Sequence, residues 1–273
     1  MQDIKVEEVN TDDFTMEYFK FGKGKKNLAI IPGVSVQSVM PYSQAIASRF
    51  DCLSQDFTVY VFDRRKDMPV GYTVEDAAKE IAEAFDKLGL KDVNIYGASQ
   101  GGNIALSIAA DHPELVNKLV LASTTLRSND ENYNILNKWV DIAKKGDATQ
   151  LYISFGEYIN PAETYEALKD AYAAAGKAVT PQELKRFVNI VNTAKDFDVT
   201  SRLNNIKAPT LVVFSADDRV FGKKYLKEVA EYFKNRPDSE ILEYENYGHA
   251  VYDNAPDFPE RMYEFLMKRS KGV

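Results

Sequence analysis

The sequence predicts an α/β domain built on a doubly wound, mostly parallel sheet, interrupted once by an inserted helical segment. Three observations carry this expectation. Short apolar, β-rich runs alternate with longer amphipathic stretches along most of the chain. Several runs, such as Leu28-Ala29-Ile30-Ile31 and Leu211-Val212-Val213-Phe214, are apolar at every position, as strands covered on both faces must be. The alternation stops at about residue 127 and resumes near residue 199.

The expected strands are Phe14–Phe21, Leu28–Ile31, Thr58–Phe62, Val93–Tyr96, Lys118–Ala122, Thr210–Phe214 and Glu240–Glu245. Among the helical stretches, Thr73–Leu88 opens with Thr73 and Asp76 spaced as a capping box, in which each side chain satisfies the other's backbone N–H. A helix over Asn103–Asp111 follows the fourth strand, and Pro259–Lys268 closes the chain. The interruption contains no convincing strand. Tyr133–Lys145, Ala162–Gly176 and Pro181–Ala194 carry helical periodicity, with Gly146 and Gly176 as breaks, so three or four helices are expected. Residues 1–126 and 199–273 then form the core, and residues 127–198 form a helical cap.

A chain of 273 residues suits one such domain with an insertion. Its net charge of −7 argues against nucleic acid or an anionic membrane as partner. The first residues, Met-Gln-Asp-Ile-Lys-Val-Glu-Glu, lack the basic-then-apolar pattern of a signal peptide, and no stretch approaches the roughly 18 apolar residues of a membrane span. The lone cysteine, Cys52, can form no intrachain disulfide. These features lead to the expectation of a cytoplasmic protein. Cys52 has no histidine near it in the sequence and is a poor candidate nucleophile.

A better candidate lies in Gly97-Ala98-Ser99-Gln100-Gly101-Gly102, a G-x-S-x-G pattern between a strand and a helix. The pattern alone recurs by chance; in a strand–turn–helix context it is specific. The sharp turn lifts the Ser99 hydroxyl clear of the sheet, and the small neighbours let strand and helix approach closely. The helix N-terminus brings free N–H groups and a positive dipole end, which suit a developing oxyanion. The residues fit neither phosphate-binding pattern, G-x-x-x-x-G-K-[ST] or G-x-G-x-x-G.

A serine hydroxyl needs a base to become a nucleophile. The chain offers two histidines. His112 ends the helix that starts at Ser99, about 20 Å away at 1.5 Å per residue, which is too far for a hydrogen bond. It reads as a helix-terminal residue favoured by the dipole. His249, in a loop after the last strand, remains as the base. The acid that would orient it is sought at the same C-terminal sheet edge, where Asp217 and Asp218 leave the penultimate strand. One of the two would face His249 and the other shape the turn; failing both, Asp130 is an alternative. For the oxyanion, the backbone N–H of Gln100 is one expected donor. The second is that of Val34, in the Pro32-Gly33-Val34-Ser35 loop after an early strand.

These residues, together with Asp63-Arg64, Ala208-Pro209-Thr210-Leu211-Val212-Val213 and Gly248-His249-Ala250, resemble the α/β-hydrolase superfamily over nearly the whole chain. The resemblance implies an eight-stranded sheet with a helical cap after the sixth strand. It also selects Asp218 over Asp217 as the acid and assigns Val34 and Gln100 to the oxyanion hole. The chain departs from the family where His-Gly is common and Pro32-Gly33 stands here. It departs again at Arg65-Lys66-Asp67, where Gly-His-Gly is common. Ser99 separates it from relatives that use an Asp nucleophile.

The function expected is hydrolysis of a small carboxylic ester or related acyl compound through an acyl-Ser99 intermediate, with no metal and no cofactor. Carbon–carbon hydrolysis, lyase or cofactor-free peroxidase chemistry on the same triad is the alternative within the fold. A non-catalytic ligand receptor is the alternative outside enzymology. The insert's Tyr133, Trp139, Tyr152, Phe155 and Tyr158 suit an apolar substrate but equally suit packing of the cap.

Overall fold

The computed structural model describes residues 4–269. Eight strands form one sheet: β1 (Val6–Asn10), β2 (Thr15–Phe21), β3 (Lys26–Ile31), β4 (Phe57–Arg65), β5 (Val93–Ala98), β6 (Val116–Ala122), β7 (Thr210–Ser215) and β8 (Glu240–Tyr244). Their order across the sheet is β1-β2-β4-β3-β5-β6-β7-β8. The pairs β1/β2 and β2/β4 are antiparallel, and every pair from β4 to β8 is parallel. Parallel neighbours need a crossover, and the helices supply it.

Those helices are α1 (Ser43–Arg49), α2 (Val74–Lys87), α3 (Gln100–Asp111), α4 (Asn134–Lys144), α5 (Ala148–Ile159), α6 (Ala162–Lys177), α7 (Pro181–Asn192), α8 (Lys223–Phe233), α9 (Val251–Asn254) and α10 (Phe258–Met267). Among the described residues no helix is long and apolar enough to cross a membrane.

Alternate residues of the central strands feed two separate cores. Ile95, Leu121 and Val212 point to the side packed by Phe85 of α2, Ile104 of α3 and Phe233 of α8. Tyr96, Val120 and Val213 point to the side packed by Phe50, Phe258 and Met262. This two-sided burial explains why the central strands read as unbroken apolar runs. The capping box expected at Thr73 and Asp76 is present: Asp76 N–H donates to Thr73 Oγ1 at 3.1 Å and Thr73 N–H to Asp76 Oδ2 at 2.9 Å. At the other end of the chain, buried Lys118 on β6 donates to the carbonyls of Phe265, Leu266 and Lys268. It satisfies the C-terminus of α10 with a positive charge.

Between β6 and β7 lie four helices, α4 to α7, and the chain there forms no strand beyond an isolated bridge of Arg127 with Asp198. α5 was not individually expected. It is capped by Asp147, which accepts from Gln150 N–H at 2.9 Å. α5 packs closely on α6 because Gly156 leaves room for the Tyr172 ring; a Cβ there would lie 2.5 Å from it. The sequence reading also did not name β1, α1, α8 or α9, and ended β4 three residues early.

Candidate active site

Ser99 sits between β5 and α3 with φ 52° and ψ −122°. A non-glycine residue rarely adopts positive φ, and holding it costs on the order of 1–3 kcal/mol. Surrounding backbone imposes the conformation. Ser99 N–H donates to Ala122 O at 2.8 Å, continuing the β5/β6 ladder into the turn. A Cβ on Gly101 would lie 2.0 Å from Ile31 O, so only glycine lets the first turn of α3 meet the end of β3.

His249 comes to Ser99 from the loop after β8. Its Nε2 lies 3.0 Å from Ser99 Oγ, and its Nδ1 lies 2.7 Å from Asp218 Oδ2. The carboxylate at Nδ1 holds the ring proton there and leaves Nε2 free to accept from the serine hydroxyl. All three groups are buried, His249 to 3% exposure. The ring is held edge-on to Phe221 at 5.1 Å, and Ser123 Oγ donates to His249 O at 2.7 Å.

The two aspartates point in different directions, one toward His249 and one away from it. Asp218 Oδ1 accepts from the N–H groups of Val220 and Phe221 at 2.8 and 3.0 Å, which aims Oδ2 at the imidazole. Asp217 faces the other way, accepting from the Ser215 hydroxyl and from Gly248 N–H at 3.2 Å. It therefore braces the loop that carries His249. Burial raises the Asp217 carboxyl, and the hydrogen bonds from Ser215 and Gly248 outweigh this, leaving it below its ordinary value.

The remaining candidates separate clearly. Asp130 is exposed. His112 caps the end of α3, where its Nδ1 stands 3.8 Å from exposed Glu114. Gly33 crosses directly over the nucleophile: a Cβ on it would lie 3.0 Å from Ser99 Cβ and 3.7 Å from Oγ. Val34 N–H donates to no backbone carbonyl among the described residues. Gln100 heads α3, where N–H groups have no partner within the helix. Both N–H groups expected to receive an oxyanion thus belong to segments packed against Ser99.

A cleft of about 1030 Å³ lies elsewhere, between the 66–73 loop and α7. Ser99 and His249 do not line it. Asp63 and Arg64 at the end of β4, Gln100 and Arg186 of α7 form a polar cluster beside the nucleophile. The sequence reading named Asp63-Arg64 and Gln100 on other grounds but missed Arg186 and the contact among them, because the segments they join are far apart in the chain.

A family model for the alpha/beta hydrolase fold matches residues 30–256. The chain belongs to the alpha/beta hydrolase fold family. The candidate carbamate hydrolase RutD of Caulobacter segnis is 26% identical over 241 residues, covering 83% of this chain and 86% of that protein. Among solved structures, the alpha/beta hydrolase enzyme MGS-M2 from a Medee basin deep-sea metagenome library superposes with a TM-score of 0.85 at 22% identity. The match covers 98% of this chain and 99% of that one. The enol-lactonase of Burkholderia xenovorans LB400 gives a TM-score of 0.81 at 16% identity, over 96% of this chain and 100% of that one. At such identities the two structural likenesses speak to fold alone. Together with the family match and the relatives, the chain is a hydrolase.

Proposed function

We propose that this hydrolase is a serine enzyme that cleaves a small carboxylic ester, or a related acyl compound such as a carbamate, through an acyl-Ser99 intermediate. The observation that carries the reading is the buried relay Ser99 Oγ–His249 Nε2 at 3.0 Å and His249 Nδ1–Asp218 Oδ2 at 2.7 Å. In this scheme His249 takes the Ser99 proton as Oγ adds to the acyl carbon. Val34 and Gln100 N–H groups receive the oxyanion, and Asp218 stabilises the imidazolium. The imidazolium then returns its proton to the leaving group. Water, deprotonated by the same histidine, releases the acid and regenerates Ser99. Residues 127–198 act as a cap whose inner surface selects the acyl group.

A panel of chromogenic short-chain esters and carbamates, combined with a fluorophosphonate label, tests the scheme. Burst kinetics and a single adduct located on Ser99 by mass spectrometry are expected. An adduct on another residue, or no turnover of any acyl substrate, overturns it.

A further inference from the structure

Arg64 is 5% exposed, yet its Nη2 hydrogen bonds end on neutral oxygens: Pro32 O at 2.8 Å and the Gln100 side-chain Oε1 at 3.1 Å. The neighbouring Asp63 carboxylate is engaged by other donors. Its Oδ1 accepts from Arg64's own backbone N–H at 2.7 Å and from Arg186 at 2.5 Å, and its Oδ2 accepts from Ser38 at 2.6 Å. Burial pulls the guanidinium down to about 10, opposed by the charge of Asp63, so Arg64 stays cationic near neutrality. Desolvating a cation is costly, and a well-packed apolar side chain of similar volume is commonly as stable or more so. Fold stability is therefore a weak reason for a guanidinium at this point.

What Nη2 joins is more informative. Pro32 O lies on the peptide preceding Gly33, two residues before Val34. Gln100 is the residue whose N–H heads α3. One nitrogen atom thus ties together the two segments that carry the expected oxyanion donors. Because arginine only donates, Gln100 must turn Oε1 toward it and Nε2 away. That Nε2 donates to Ile190 O at 2.6 Å and Thr193 Oγ1 at 3.0 Å, at the end of α7. Gln100 is 2% exposed, so these contacts are buried.

We propose that Arg64 is a positioning residue that fixes the spacing between the Val34 and Gln100 N–H groups, with Gln100 extending the brace to α7. The inference rests on the serine-hydrolase reading. Oxyanion donors act through their placement, and a displacement of about 1 Å in such a site can cost on the order of 100-fold in rate.

The test compares wild type, Ser99→Ala, Arg64→Met, Arg64→Lys and Gln100→Leu on a chromogenic ester. Arg64→Met should lower kcat by about 10- to 100-fold while KM moves less than about twofold. Affinity for a boronic acid, whose boron becomes tetrahedral on adding Ser99 Oγ, should fall in parallel with kcat. Arg64→Lys keeps the charge but loses the rigid fork, so it should fall between the two; Gln100→Leu should also lower kcat. Those two variants decide the matter if Arg64→Met does not fold. If Ser99→Ala abolishes turnover while the folded Arg64 variants keep wild-type kcat and boronate affinity, the positioning role is overturned and the serine-hydrolase reading stands. A lower melting temperature with unchanged boronate affinity also overturns it, since that marks a structural role only. Full activity in Ser99→Ala overturns both.

Discussion

The sheet edge that carries Ser99 and His249 and the four helices between β6 and β7 are held in different ways. At the edge, backbone meets backbone: Ser99 N–H on Ala122 O, Ser123 N–H on Val213 O, and Ala216 N–H on Tyr244 O. The insert meets the edge mainly through side chains: Gln37 with Tyr152 and Glu183, Asp63 with Arg186, and Gln100 with the end of α7. Backbone ladders do not depend on residue identity, whereas side-chain contacts do. The edge is thus less sensitive to residue identity than the insert, which can be rewritten only where its contacts to the edge, such as that of Gln100 with the end of α7, are kept. Substitutions at the edge should remove turnover for every substrate, and substitutions in the insert should redistribute it among substrates.

The largest effect tests the edge. Ser99→Ala should lower kcat by about 10⁴-fold or more while leaving the melting temperature near that of wild type. His249→Ala should match it, and His112→Ala should leave turnover unchanged. A retained rate in His249→Ala would place the base elsewhere.

Next comes the pair of aspartates. Asp218→Asn keeps the size and loses the charge facing the imidazole, and should cost up to about 10⁴-fold in kcat. Asp217→Asn should cost less than about tenfold, because Asp217 touches the His249 loop and not the ring. Circular dichroism must first show both variants folded. The reverse ranking would move the acid by one residue.

A smaller effect belongs to the insert. Tyr152 Oη donates to Gln37 at 3.0 Å, linking α5 to the loop after β3. Tyr152→Phe and Phe155→Leu should shift the ratio of kcat/KM between short and bulky acyl groups by about 2- to 10-fold, with little change for the smallest ester. Trp139 is different. At 1% exposure, against Phe155 at 4.8 Å and with Nε1 donating to Ser154, it is packing for the insert. Trp139→Ala should unsettle the helices by about 3–5 kcal/mol, measured by denaturant melting, before it says anything about selectivity.

The smallest effect is on acid stability. The folded Asp217 carboxyl titrates below its ordinary value of 3.8. Its contribution is therefore complete above that value and is lost as pH falls through the lower folded value. Asp217→Asn should flatten the loss of stability on acidification below pH of about 4 and change little near neutrality. An unchanged acid slope would show that the carboxylate is not held by the loop.

Most of this architecture was legible because burial leaves a periodic signature. The central parallel strands β3, β5, β6 and β7 are buried on both faces along most of their length, and Thr73 and Asp76 announce α2. β1 escaped because it is an edge strand with Val9 as its one buried residue, so Val6-Glu7-Glu8-Val9-Asn10 shows no clean alternation. α5 escaped because Tyr152, Ile153, Phe155 and Gly156 dilute helical propensity; the Asp147 cap was the available signal. Ser99 and His249 were singled out by motif and elimination, since the chain has so few histidines, and the structure brings them together. Asp218 was separable from Asp217 only by resemblance. Arg64 entered only through the resemblance, and its contacts could not be read, since Pro32 and Gln100 lie far from it in the chain.

One backbone contact breaks the division between edge and insert. Ala250 N–H donates to Ile159 O at 2.9 Å, and Gly248, at φ 66°, leaves no room for a side chain against that same carbonyl. The last turn of α5 and the histidine loop are stitched together. Any outward swing of the insert must therefore pivot near this stitch and open from the α7 side, or drag His249 from Ser99. For recombination among relatives, residues 159–161 and 248–250 behave as one heritable block. A chimaera that exchanges the insert but splits that block should inherit its donor's selectivity with a misaligned base.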